Sequence, residues 1–316
     1  MRKIAFVFPG QGSQYVGMGA ELAEHSEAAR QVFAEADRAL GFSLSSLCFA
    51  GPEEELRLTV NTQPAILTVS VAVLAALREK LPDVQPAFLA GHSLGEYSAL
   101  VAAGALRFAD AVRTVRARGQ FMEEAVPSGQ GAMAAVLGME RAELQRVCEE
   151  VSAGGAPVQL ANLNCPGQIV ISGSAAGVSL AAEKARERGA KRVMPLNVSG
   201  PFHSSLMAPA AEKLAAVLES VPLADAAVPV VANVSARPVQ QAEAIKQSLV
   251  EQVSAPVLWE DSVLYMVEQG VNTFVEIGPG KVLAGLIKKI APREAAVHSV
   301  QDVSSLEQLI NGGVLC

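Results

Sequence analysis

Ala87-Phe88-Leu89-Ala90-Gly91-His92-Ser93-Leu94-Gly95-Glu96-Tyr97 is the stretch that decides the fold. Its centre, Gly91 to Gly95, fits the pattern G-x-S-x-G. The run Ala87–Ala90 reads as a strand and the run Glu96–Ala103 as a helix, so Ser93 falls on a strand-to-helix turn. Such a nucleophile elbow holds its serine in a strained backbone and pushes the Oγ into the open. Gly91 and Gly95 fit because a Cβ at either place would collide as strand and helix pass close together. The N–H of Leu94 lies beside the Oγ at the start of a helix, where an oxyanion needs a donor. Ser93 is therefore the candidate nucleophile; the plainer alternative is a glycine-rich turn with a serine cap.

The rest of the chain suits that reading. It has 316 residues, 50% apolar and 4% aromatic. This predicts an α/β protein of one large domain, or one large and one small, with helices packed on a buried parallel sheet. A net charge of −7 argues against a general nucleic-acid role. The apolar run Ile4–Phe8 is too short for a signal peptide and stops at Pro9-Gly10, so it reads as a first strand. No run reads as a membrane span. Cys48, Cys148, Cys165 and Cys316 show neither paired nor metal-type spacing, which predicts inert thiols, no metal site and a cytoplasmic setting.

Along the chain, helical patterns run over about 20–40, 64–80 and 109–124. The texture changes at Pro127-Ser128-Gly129-Gln130-Gly131. From there strands at 133–137, 158–162, 168–172 and 192–196 alternate with helices at 141–151 and 176–189. This βαββαβ order is that of a ferredoxin-like unit of about 70 residues. The expected division is a catalytic domain over 1–127 and 198–316, with a small domain inserted at 128–197. Gly10-Gln11-Gly12-Ser13-Gln14-Tyr15 is no dinucleotide fingerprint, because Tyr15 stands where the last glycine belongs. Gly280-Lys281 lacks the other residues of a P-loop.

A nucleophilic serine needs a base. Of four histidines, His25 and His298 lie far from the motif's context, and His92, next to Ser93, should point away from the Oγ as a packing or loop-bonding residue. His203 remains, in the loop Ser199-Gly200-Pro201-Phe202-His203 at the re-entry to the large domain. It is the candidate base, or else a surface loop histidine. An orienting acid is less evident: Asp225 and Asp261 are available, and a backbone carbonyl could serve instead.

Over nearly its whole length the chain resembles the bacterial malonyl-CoA:acyl-carrier-protein transacylases, within the acyltransferase family of fatty acid and polyketide synthesis. The resemblance rests on Phe8-Pro9-Gly10-Gln11-Gly12-Ser13-Gln14, Asn61-Thr62-Gln63-Pro64-Ala65, the elbow through Tyr97, and Arg116-Ala117-Arg118-Gly119. Pro166 to Gly173, Phe202-His203 and Glu276-Ile277-Gly278-Pro279-Gly280 complete it. It implies an α/β-hydrolase-like core with a ferredoxin-like small domain. It implies Ser93 as the acylated nucleophile, His203 as its base, and Gln11 with the Leu94 N–H as the oxyanion hole. Arg118 would bind the malonyl carboxylate, Gln63 would line the pocket, and Gln252 would hold His203 through its backbone carbonyl. The resemblance also implies that Phe202 favours malonyl over methylmalonyl. The partners implied are malonyl-CoA and an acyl carrier protein, with no bound cofactor.

Arg118 makes physical sense in that role, since a guanidinium fork grips a carboxylate bidentately and, left unpaired, penalises acetyl. Arg113 and Arg116 read as solvated charges. An acidic carrier protein needs a basic docking patch, for which Lys184, Arg186, Arg188, Lys191 and Arg192 form one candidate and Lys281, Lys288 and Lys289 a second. The rival functions are a serine thioesterase or esterase using the same Ser93 and His203, a non-catalytic acyl-CoA or carrier-protein binding module, and a discrete acyltransferase of a polyketide pathway. A monomer is expected, as no heptad seam is left over.

Overall fold

A computed structural model describes residues 2–313, so Cys316 lies outside the described residues. Strands β1 (Ile4–Phe8) and β2 (Phe88–Gly91) come first. Strands β3 (Gly131–Leu137), β4 (Val158–Cys165), β5 (Gln168–Ser174) and β6 (Arg192–Pro195) follow as a group. Strands β7 (Val230–Ala232), β8 (Arg237–Val239), β9 (Thr273–Ile277) and β10 (Ala296–Val300) come last. The fold is α/β with two sheets. The larger has the order β10-β9-β1-β2-β7-β8, parallel throughout except for β8, which pairs antiparallel at one edge. The smaller, β4-β5-β3-β6, is antiparallel.

The sequence explains the layering. Strands β1, β2 and β9 are buried at every position, as strands covered by helices on both faces must be. Phe6, Phe8 and Val275 face one core layer; Ala5, Val7 and Phe274 face the other. The smaller sheet has a core of its own around Val136, Leu144, Ile171 and Ala181, while Met133, Ala135 and Val170 on its other face join the main core. A two-bond bridge ties the units together: Leu163 N–H donates to Val257 O at 2.9 Å and Val257 N–H to Ala161 O at 2.8 Å. The parallel strands β1, β2 and β7 deliver their carboxyl ends, and hence Pro9, His92 and Asn233, to one rim of the sheet, the usual place for a site in an open parallel sheet.

Several elements differ from the sequence expectation. The helix expected over 20–40 is two, Ala20–His25 and Glu27–Leu40, because Ser26 is extended and its side chain caps the second through Ala29 N–H. The helix expected from Pro64 begins at Thr59, whose N–H donates to the Glu123 carboxylate at 2.7 Å. A cap supplied from a distant helix leaves no local signature, so the proline, favoured in a first turn, marked the start falsely. Helices Leu44–Ala50, Glu53–Arg57 and Val303–Asn311 and strand β8 were not anticipated. The helix Thr59–Lys80 is long and apolar enough to cross a membrane by length and composition, against the expectation that no run is. It is 83% buried over its most apolar window, so its hydropathy belongs to the core.

Candidate active site

The elbow is built as its glycines require. Ser93 sits at φ 51° between β2 and the helix Gly95–Ala102. A Cβ on Gly91 would lie 1.9 Å from the Gly95 carbonyl carbon, and one on Gly95 would lie 2.1 Å from Phe8 O. No side chain fits at either place. Asn233, fully buried just past β7, pins the turn from the far side. Its Oδ1 accepts from Ser93 N–H at 2.7 Å and its Nδ2 donates to Gly91 O at 2.7 Å.

His203 meets the serine at hydrogen-bonding distance, with Ser93 Oγ–H donating to Nε2 at 2.7 Å. On the other side of the ring Nδ1–H donates to the backbone carbonyl of Gln252 at 2.8 Å. A carbonyl only accepts, so this bond fixes the tautomer and leaves the Nε2 lone pair on the serine. Neither Asp225 nor Asp261 takes part: Asp225 accepts from Ala242 N–H, and Asp261 pairs with Arg141. Burial, and after it the charge of Arg118, pushes the His203 imidazole down to about 3, so the ring stays neutral.

Arg118 projects from the helix Phe108–Glu124 and is 1% exposed. Its Nη1 donates to Gln63 Oε1 at 2.8 Å, and its Nη2 donates to Gln252 Oε1 at 2.9 Å and to Ser93 Oγ at 3.1 Å. Its Nε–H is buried with no partner among the described residues. Three neutral acceptors thus hold a desolvated cation beside Ser93. Burial lowers the guanidinium's pKa.

Gln63, expected at the pocket wall, stands behind Arg118 and does not line the cavity; its Nε2 donates to Met122 Sδ at 3.5 Å. The cavity at Ser93 holds about 110 Å³ and is lined by Gln11, Leu94, Arg118, Met133, Phe202 and His203, among others. The Gln11 side chain turns aside, Nε2 donating to Thr59 Oγ1 at 3.2 Å. The backbone N–H groups of Gln11 and Leu94 donate to no partner among the described residues, which leaves two backbone donors free at the cavity wall. A wider cavity of about 610 Å³, with Arg57, Leu58 and Thr59 in its walls, adjoins at Gln11 and Leu196. Another of about 230 Å³ adjoins at His92 and Asn162 and reaches Val282 and Leu286. His92 turns from the serine as expected, its Nε2 2.9 Å from Asn164 Oδ1.

Sequence reasoning passed over Asn233, Glu96 and the side chain of Gln252. Glu96 is 1% exposed, and its Oε2 accepts from Asn233 N–H and from Gln252 Nε2, both at 2.9 Å. A carboxylate inside an otherwise apolar helical run was the available signal. Burial raises its pKa to about 7, against the pull of those two hydrogen bonds. Arg113 is exposed and pairs with Asp110, as a solvated charge would. Arg116 is half-buried rather than a free solvated charge: it lies 4.5 Å from the centre of the Phe42 ring and donates to Asn61 Oδ1 at 2.9 Å, so it braces two helices.

The acyl transferase domain family matches this chain over residues 5–309. The chain belongs to that family. This acyl transferase is 58% identical over 310 residues to the malonyl CoA-acyl carrier protein transacylase of Bacillus subtilis, covering 98% of this chain and 97% of that one. Its fold superposes with a TM-score of 0.94 on the malonyl CoA-acyl carrier protein transacylase of Coxiella burnetii, at 42% identity over 98% of this chain and 97% of the other. It superposes with the same score on a malonyl-transacylase in complex with a type II PKS acyl-carrier protein, at 47% identity over 98% and 99%.

Proposed function

We propose that the enzyme transfers a malonyl group from malonyl-CoA to the phosphopantetheine thiol of an acyl carrier protein, for fatty acid biosynthesis. The observation that carries this reading is Arg118, a buried guanidinium 3.1 Å from the Ser93 oxygen. It recognises an acyl group that ends in a carboxylate. His203 takes the Ser93 proton as the Oγ attacks the thioester carbon. The backbone N–H groups of Gln11 and Leu94 hold the oxyanion. The carbon–sulfur bond then breaks, and the thiolate of coenzyme A leaves with the proton from His203. The carrier's thiol, deprotonated by His203, attacks the carbonyl carbon of the malonyl-serine ester; the bond from that carbon to Ser93 Oγ breaks, and His203 returns the proton to Oγ. Phe202 limits substituents on the acyl chain. No cofactor or metal enters these steps, and one chain supplies every residue, so a monomer in the cytoplasm suffices.

The finer fold reading goes with this proposal. An α/β-hydrolase-like unit, 1–127 and 198 onward, carries the elbow, and a ferredoxin-like unit is inserted at 128–197. The strand order β4-β5-β3-β6 with helices Arg141–Ala153 and Ala175–Glu187 supports the second part. For carrier docking the patch at Lys281, Lys288 and Lys289 is the better candidate. It lies on and beside the helix Val282–Ile290, which walls the cavity beyond His92. In the other patch Lys184 and Arg188 are neutralised by Glu150. Charge reversal at Lys288 and Lys289 should raise KM for the carrier and leave Ser93 acylation intact; loss of both steps together would refute docking there.

A role in a polyketide pathway is the second reading, favoured by the likeness to a transacylase bound to a type II PKS carrier. Intact mass spectrometry with malonyl-CoA, acetyl-CoA and methylmalonyl-CoA tests the chemistry. A malonyl adduct absent with acetyl-CoA and lost in Ser93→Ala supports it. Free coenzyme A without an adduct indicates a hydrolase.

A further inference from the structure

We infer that Glu96 is the resident counter-charge of Arg118, and that an arriving substrate carboxylate displaces it from that role by driving a proton onto Glu96. The inference rests on the malonyl reading and deepens it.

The two side chains are each 1% exposed and share one buried network, yet they do not touch. Every partner of the guanidinium is neutral: Gln63, Gln252 and Ser93. The carboxamide of Gln252 stands between the two charges. Its Oε1 accepts from Arg118 Nη2 and its Nε2 donates to Glu96 Oε2, both at 2.9 Å. Only one orientation of that amide satisfies a cation on one side and an anion on the other. A second bond from Nε2, to Ser93 O at 3.0 Å, holds it there. Glu96 also accepts from Asn233 N–H, so the same carboxylate braces the residue that pins the elbow.

One buried cation and one buried anion here compensate each other through an amide. A malonyl carboxylate placed against Arg118 makes two anions around one cation, away from water, and such an excess is removed by protonation. Glu96 is suited to take that proton. Both of its hydrogen bonds fall on Oε2, leaving Oε1 as the atom to be protonated. Its pKa of about 7 places the change at neutral pH. The other ionisable groups around it do not compete. Burial pushes the Tyr97 phenol up, His203 is held at about 3, and burial lowers His92. The residues facing Glu96 from the helix Ala242–Gln252 and from beyond β7 are Gln252 and Asn233, neither of which titrates.

Calorimetry of Ser93→Ala with malonyl-CoA and acetyl-CoA at pH 7.5, in two buffers of different ionisation enthalpy, reads proton uptake without turnover. Malonyl-CoA should take up about half a proton or more per site and acetyl-CoA none. Adding Glu96→Gln, which can keep an acceptor oxygen at the Oε2 position and loses the charge, should abolish the uptake. In the active enzyme the KM for malonyl-CoA should climb above pH 7 by up to about tenfold per unit, and the climb should vanish in Glu96→Gln. Equal uptake with both donors, or uptake that survives Glu96→Gln, overturns the inference. The comparison of donors on Ser93→Ala decides it even if Glu96→Gln does not fold. Malonyl-CoA that binds without proton uptake refutes the counter-charge alone; malonyl-CoA that neither binds Ser93→Ala nor acylates the wild type refutes the functional reading and this inference with it.

Discussion

In the proposed reaction Arg118 and His203 divide the work at the level of single residues, one choosing the acyl group and the other moving the proton. Replacing Arg118 by Ala removes the only charged donor that the cavity at Ser93 offers among its described residues. We expect kcat/KM for malonyl-CoA to fall at least about a thousandfold while acetyl-CoA is unaffected or gains. Lys should not rescue it, because an ammonium cannot serve three acceptors in a plane. Equal losses for both donors would show that Arg118 only supports the fold. His203 gives a second expectation. Held at about 3 where an ordinary imidazole titrates at 6.5, it is neutral across the working range. Ser93 acylation at saturating malonyl-CoA should therefore stay level from about pH 5 to about pH 8; an acid limb centred near 6.5 would contradict this. The sequence carried Ser93, His203 and Arg118 in recognisable surroundings. It could not show Glu96 bonded to Gln252 across 156 positions or to Asn233 across 137, because side-chain polarity has no periodicity that points to a distant partner.

Elements meet at this site because glycines and buried carboxylates let them approach. Gly95→Ala would put a methyl 2.1 Å from the Phe8 carbonyl oxygen. That is backbone against backbone with no rotamer to yield, so we expect failure to fold, read as loss of soluble protein or of a cooperative melt. A protein that melts normally would mean β1 and the elbow helix can separate. Glu276 joins two elements differently. Buried at the end of β9, it accepts from Leu283 N–H at 3.0 Å on Oε1 and from Ala284 N–H at 2.8 Å on Oε2, capping the helix Val282–Ile290. Glu276→Gln keeps one acceptor and orphans one donor, which should cost about 1–3 kcal/mol in chemical denaturation; an unchanged midpoint would show that the helix end finds another partner. Strands β1, β2 and β9 were legible as short apolar runs bounded by Gly and Pro. The true start of Thr59–Lys80 was not, since its cap comes from Glu123 on another helix.

Taken whole, the molecule hides ionisable groups of both kinds, and they set how its stability responds to pH. The start of the smaller sheet was visible as a change of texture at Pro127–Gly131, but the bridge between Asn162 and Val257 that seats that sheet was not, because pairing between distant strands leaves no local mark. The same non-local assembly buries Glu96 and Glu276 and raises each from 4.5 to about 7. Between those values the folded protein holds protons that the unfolded chain has released, so these carboxyls contribute stability at low pH that is lost as pH rises through 7. Each sets a slope of at most about 1.4 kcal/mol per pH unit. His203, lowered to about 3, and His92, also lowered by burial, act in the opposite sense. Unfolded, they bind protons below 6.5, so their contribution is lost as pH falls. Over roughly pH 4.5 to 6.5 His203 offsets one of the two carboxyls, and His92 offsets part of the other. Above 6.5 the carboxyls act without that opposition, and the buried thiols of Cys48 and Cys148, pushed up to about 12, extend the decline into alkali. Below 4.5 carboxylates that their partners hold low act in the same sense as the histidines: Glu124 bonded to Lys213, Glu143 to Arg146, Glu150 to Lys184, and Asp302, whose pKa its bonds to Ser305 lower despite partial burial. Urea midpoints at constant ionic strength should therefore peak at mildly acidic pH and be lower at pH 8.5 than at pH 6. Glu96→Gln should flatten part of the alkaline fall, because it removes one of the two protons involved. A midpoint that rises steadily from pH 6 to 8.5 would mean that these carboxyls are ionised and well solvated, and the buried network around Arg118 would have to be redrawn.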